Sequence, residues 1–135
     1  MIVGTEWLVE AFDCEPEKLR EVEILRRIFS CLVKDLSLKT IGAGIWHQFE
    51  GESGVTGLVM LTESHLACHT YPEYKTATFN LYCCRKRSTW NWEANLKQFL
   101  GAKSVSVQKI ERGTSNSLHE SKIQNLKSKI VGGNV

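Results

Sequence analysis

Hydrophobic and polar positions along this chain either alternate or recur in blocks, and the blocks define its elements. In "GTEWLVEAFDC", Trp7, Val9 and Ala11 fall on one side of an extended chain, and Leu8 and Phe12 on the other. That alternation predicts a first strand. Asp13 and Pro16 then signal a helix start. From Glu17 to Val33, Leu19, Val22, Leu25, Ile28, Phe29, Leu32 and Val33 recur at helical spacing with charges between them, which predicts one helix. Leu38 to Phe49 reads as a strand softened by Gly42 and Gly44. "EGESG" is a turn, and Gly54 to Glu63 a further strand. "HLACHTYPEY" stays extended until Pro72 breaks it. "TATFNLYCC" is β-branched and aromatic, the mark of another strand. "STWNWEANLKQFLG" predicts a short helix, capped by Ser88 or Thr89 and ended by Gly101. "KSVSVQKIE" alternates strictly and reads as a last, half-exposed strand. Residues 114–135 read as a polar tail, with at most a weak amphipathic turn around Ile123 to Ile130.

Strands joined by short turns favour antiparallel pairing. Two helices can cover only one face of such a sheet. The expected fold is therefore α+β, a two-layer sandwich of an antiparallel sheet with two helices on one face. The other face must meet solvent, a partner or a second copy.

Composition narrows the function. The chain has 135 residues, 42% hydrophobic and 24% charged, which fits one globular domain over residues 1–113 followed by the tail. A net charge of +2, with no basic stripe interleaved with aromatics, argues against nucleic acid. The run Arg85-Lys86-Arg87 reads as a solvated corner. No stretch reaches membrane-spanning length, and no basic-then-apolar leader opens the chain. The five cysteines, Cys14, Cys31, Cys68, Cys83 and Cys84, are odd in number and irregular in spacing. They suit a reducing cytoplasm better than a disulfide framework.

The chemistry concentrates in "LTESHLACHTYPEY", Leu61 to Tyr74. A serine triad lacks its G-x-S-x-G elbow here. A metal site on His65, His69 and Glu73 is disfavoured, because strand geometry does not converge that spacing, so no metal is expected. Ser64 and His69 have opposite parity, so a straight strand would point them to opposite faces. Bringing them together requires a turn, a bulge or a rearrangement.

The stretch Glu63-Ser64-His65, then His69-Thr70-Tyr71-Pro72-Glu73-Tyr74, then "NLYCC" ending at Cys84, closely resembles the prokaryotic form of S-adenosylmethionine decarboxylase. Phe49, "GVTG" and Glu111 to Gly113 fit the same pattern. The opening "GTE" resembles the start of the eukaryotic form, whose matching glutamate, here Glu6, contributes to the active site. The resemblance implies a proenzyme that cuts itself between Glu63 and Ser64 into chains 1–63 and 64–135, turning Ser64 into a pyruvoyl cofactor. It implies that Thr56 and His69 assist processing, and that Ser64, His69 and Cys84 are catalytic. Cys84 would return a proton after CO₂ leaves, and Cys83 would be core filler. The pyruvoyl carbonyl would form a Schiff base with the substrate amine and act as electron sink. Phe49, Leu66, Glu73 and Glu6 would bind S-adenosylmethionine, whose decarboxylated product donates the aminopropyl group for spermidine synthesis. The resemblance further implies a homodimer of cleaved protomers with sites where two copies meet. Tyr71, Lys75-Thr76, Asn80 and Arg85 depart from the usual pattern, as does a turn after Phe49 one residue longer than usual. These departures bear on substrate, and ornithine or arginine decarboxylation on the same scaffold stays an alternative. A non-catalytic interaction subunit is a further alternative, though it predicts loss of a serine, histidine or cysteine that are all present.

Overall fold

The alternating segments assemble into a single six-stranded antiparallel sheet. The computed structural model describes residues 1–113, and the tail expected over 114–135 lies outside the described residues. In chain order the elements are β1 (Ile2–Phe12), α1 (Pro16–Leu19), α2 (Val22–Asp35), β2 (Thr40–Gln48), β3 (Val55–Leu61), β4 (Ser64–Tyr71), β5 (Thr76–Cys83), α3 (Trp92–Leu100) and β6 (Ser104–Gly113). A 3-10 turn, Pro72–Tyr74, links β4 to β5. The strands lie in the order β2-β3-β4-β5-β1-β6. The first strand thus ends up between two late ones.

One face of this sheet is dry. Trp7, Val9 and Ala11 of β1, Leu66 and Cys68 of β4, and Phe79 and Leu81 of β5 pack against Leu25, Ile28, Phe29 and Leu32 of α2 and Trp92, Leu96 and Leu100 of α3. Each large side chain so buried contributes roughly 1.5–3 kcal/mol. This is the expected α+β sandwich, with helices on one face only.

The helical stretch after Pro16 is not continuous. It breaks at Arg20 and Glu21, where Glu21 is extended (φ −93°, ψ 102°). Carbonyls freed by a break need new partners. The Thr70 hydroxyl donates to Leu19 O at 2.8 Å, and Gln48 Nε2 donates to Arg20 O at 2.7 Å. Distant side chains therefore fix a corner that the local pattern does not announce. The cap of α3 also differs from expectation. Asn91, rather than Ser88 or Thr89, accepts from Ala94 N. Thr89 instead accepts a hydrogen bond from Trp7 Nε1 at 3.0 Å. Gly101 ends α3 as expected, at φ +67°.

The other sheet face carries no helix. Directly paired residues of antiparallel strands share a face. The pairs Ile41↔Met60, Ile45↔Leu58, Leu58↔Ala67, Met60↔His65 and Thr56↔His69 therefore place these side chains together on it. Ile41, Ile45, Leu58, Met60 and, farther across, Leu8 and Ile110 are exposed there.

Candidate active site

Sequence and topology place the chemistry in two clusters at opposite ends of β4. The first surrounds the turn of Thr62 and Glu63, which joins β3 to β4 through the pair Leu61↔Ser64. Such a tight turn needs positive φ somewhere, normally at glycine. None is available, and Ser64 itself takes φ +137°. A non-glycine residue held there costs on the order of 1–3 kcal/mol and persists only where its surroundings enforce it. This distortion breaks the simple alternation of β4 at its first residue.

The surroundings are specific. The Glu63 carbonyl accepts a hydrogen bond from Cys84 N at 2.8 Å. Ser64 Oγ lies 2.9 Å from His65 Nδ1. The Glu63 side chain is buried, and Arg87 grips both its oxygens, Nε on Oε1 at 2.9 Å and Nη2 on Oε2 at 2.5 Å. Hydrogen bonding from Arg87 holds this carboxyl below its ordinary range, against the opposing effect of burial. Cys83 faces the core beside Glu63; burial and that negative neighbour push its thiol up to about 12. Cys84, one residue on, is exposed. The two cysteines thus separate cleanly into an inert buried thiol and one presented at the turn. Arg87 is no solvated corner: its guanidinium sits over the turn and also donates to Leu36 O at the end of α2. No local signal in the sequence marks that pairing across 24 positions.

The second cluster surrounds His69. Its Nδ1 lies 2.5 Å from Thr56 Oγ1, the residue paired with it across β3 and β4. Phe49 and Tyr71 flank the ring, with centroids 5.7 and 4.4 Å away. Phe49, Glu50, Glu52, Gly54, His69, Tyr71 and Glu73 line an open cleft of about 300 Å³. Gly54 is required at its floor, since a Cβ there would lie 2.5 Å from Thr70 O. Phe49 and Glu73 thus meet, beside His69. Glu6 stands farther away on the same sheet face, accepting from Asn80 Nδ2 at 2.6 Å and pairing with Arg112 at 3.3 Å. Leu66 does not join the cleft. It is fully buried on the helix face, since it alternates with His65 and Ala67.

The structure also answers the parity question. Ser64 and His69 are five residues apart on one strand, which separates them by roughly 16 Å. The distorted turn does not fold one back on the other, so the two clusters stay apart within one chain. Among the described residues, no group of three His, Cys, Asp or Glu side chains could hold a metal ion.

The first cluster suits attack by a hydroxyl on its own upstream carbonyl: the carbonyl is pinned, the backbone at Ser64 strained and the residue a serine. The family model described as S-adenosylmethionine decarboxylase matches residues 5–113. An S-adenosylmethionine decarboxylase proenzyme of Prochlorococcus marinus is 33% identical over 118 residues, covering 87% of this chain and 93% of that protein. One from Thermotoga maritima is 34% identical over 112 residues, covering 82% and 85%. The crystal structure of the adenosylmethionine decarboxylase from Aquifex aeolicus superposes with a TM-score of 0.69 at 28% identity, covering 86% of this chain and 95% of that one. The family match takes in both clusters and every strand of the sheet, and the chain belongs to the S-adenosylmethionine decarboxylase family.

Proposed function

We propose that this protein cuts itself between Glu63 and Ser64 and then decarboxylates S-adenosylmethionine. The observation that carries this is the geometry at the turn: Ser64 at φ +137°, next to a Glu63 carbonyl held by Cys84 N. Ser64 Oγ adds to that carbonyl, the C–N bond breaks, and its nitrogen takes the hydroxyl proton. An ester links the two halves. Loss of the Ser64 α-proton expels the Glu63 carboxylate and leaves dehydroalanine, which water converts to a ketone with release of ammonia. A pyruvoyl group formed in this way would supply the electron sink that decarboxylation of an α-amino acid requires.

The chain's own residues do the rest. The exposed Cys84 thiol holds a proton beside position 64. Thr56 orients the His69 ring, and His69 serves as the base. Phe49 offers a stacking face and Glu73 a hydroxyl acceptor, which suits a nucleoside. Ornithine and arginine present no ring to stack, so the cleft favours S-adenosylmethionine over them.

The split half-sites support a homodimer packed through the open sheet face. A two-fold axis lying between the faces and across β4 sets the Ser64 end of one copy over the His69 end of the other. Symmetric pairs of this kind are the commonest assembly. Exposed Ile41, Ile45, Leu58 and Met60 supply the apolar surface. Five unpaired cysteines support a reducing compartment such as the cytoplasm. No helix among the described residues is long and apolar enough to cross a membrane.

The test is direct. Intact-mass analysis of the purified protein should show fragments 1–63 and 64–135, the second beginning with a keto group in place of its N-terminal amine. CO₂ release should follow labelled S-adenosylmethionine, not ornithine or arginine. A chain that stays whole refutes self-processing, and preferential release from ornithine or arginine refutes the substrate.

A further inference from the structure

The grip of Arg87 on Glu63 exceeds what a turn needs to fold. A β-turn ordinarily leaves its side chains in water. Here a glutamate with 2% side-chain exposure is taken inside, and a guanidinium meets it with two parallel hydrogen bonds. Burying a carboxylate is expensive unless its partner is well placed, and the bidentate fork is the geometry that fixes direction as well as charge. Arg87 is itself tied to Leu36 O, so the fork is anchored to the end of α2. Glu63 is therefore held at three points: both carboxylate oxygens by Arg87 and the backbone carbonyl by Cys84 N. The bond between Glu63 and Ser64 has little freedom left, and the positive φ falls on the residue just beyond the clamp.

We infer that Arg87 is a positioning residue for self-cleavage: by clamping the Glu63 side chain it sets the Glu63 carbonyl against Ser64 Oγ and maintains the strain at Ser64. The inference rests on the self-processing reading and extends it to a residue outside the reacting atoms. A second observation points the same way. Glu63 and Arg87 share a cavity of about 250 Å³ with Ser37, Lys39, Thr62 and Arg85. Lys39 and Arg85 thus add two cations to Arg87 around this cavity. Fixed positive charge beside the scissile residue favours the negative charge that develops as elimination expels the backbone carboxylate of Glu63.

The experiment follows cleavage in pulse-labelled full-length chain on denaturing gels, with melting temperature as the check on folding. Wild type should cleave and S64A should not. R87A, and R87M, which keeps more of the side-chain stem, should cleave at least about ten-fold more slowly, since small misplacements at a reacting centre cost that much or more. R87K, with charge but no fork, should fall between them and wild type. Millimolar guanidinium should speed R87A and leave S64A inert, which loss of packing alone would not allow. Cleavage of R87A or R87M within about two-fold of wild type overturns the inference, as does a slowed R87A that guanidinium cannot rescue. A wild-type chain that never cleaves overturns the self-processing reading itself, and the inference with it.

Discussion

At the scale of single residues, partners decide what each group does. Thr56 and His69 form one unit because strand pairing sets them opposite each other. T56V keeps shape and removes the hydroxyl, so His69 loses its orienting contact. Self-cleavage should slow by about 10- to 100-fold while the fold is retained, read as the fraction of full-length chain over time. Glu63 gives a pH prediction. Its folded carboxyl is lowered by Arg87, so the pair's stabilisation is complete above the unfolded glutamate value of about 4.3 and is lost as pH falls through the lower folded value. Urea midpoints of S64A, which stays uncut, should therefore fall below pH 4 more steeply than those of S64A/R87M. Equal slopes would remove the Arg87 contribution. The proposed reacting residues Glu63, Ser64, His69 and Cys84 were legible as a motif, because chemistry needs particular side chains at particular spacings. Arg87 was not, because its role comes from a fold that closes 24 positions into one ion pair.

At the scale of elements, the strands were legible and the helix corner was not. Alternation at period two is plain in β3, in β5 and in β4 beyond Ser64, where one face is dry. The break between α1 and α2 leaves no such trace, since Leu19 to Val33 keep helical spacing across it. Its cause is supplied by Thr70, whose hydroxyl donates to Leu19 O and accepts from Val55 N. T70V keeps the volume and orphans both buried groups. The expected loss is about 2 kcal/mol, measured by urea unfolding of the uncut S64A background. The same change at half-buried Thr76, whose hydroxyl donates to Tyr74 O two residues away, should cost less than half of that. The α3 cap is a smaller lesson: Asn91 serves because Thr89 is already bonded to Trp7.

At the scale of the whole molecule, the sandwich class was readable from element order, while the separation of Ser64 from His69 was not. Parity raised the problem, and the run of β4 from Ser64 to Tyr71 keeps the two residues apart within one chain. The shared-site dimer makes a sharp prediction. S64A and H69A chains should each stay largely uncut alone. Coexpressed, the H69A chain should be cut, because its Ser64 meets His69 of the partner subunit, while the S64A chain stays whole. No cut chain in the mixture would place both groups in one protomer. L58E, at the centre of the exposed apolar face, should give monomers by sedimentation and lose cleavage together with assembly.

The strand order has a consequence for the molecule that the proposed cut would produce. Residues 1–63 hold β1, β2 and β3, and residues 64–113 hold β4, β5 and β6. Read across the sheet, ownership changes hands three times, between β3 and β4, between β5 and β1, and between β1 and β6. The two pieces are interlaced like fingers, and neither can leave without unzipping β1 from both of its neighbours. The proposed scission would create a new chemical end while the architecture stays shut, and the halves should travel as one body until denaturant parts them.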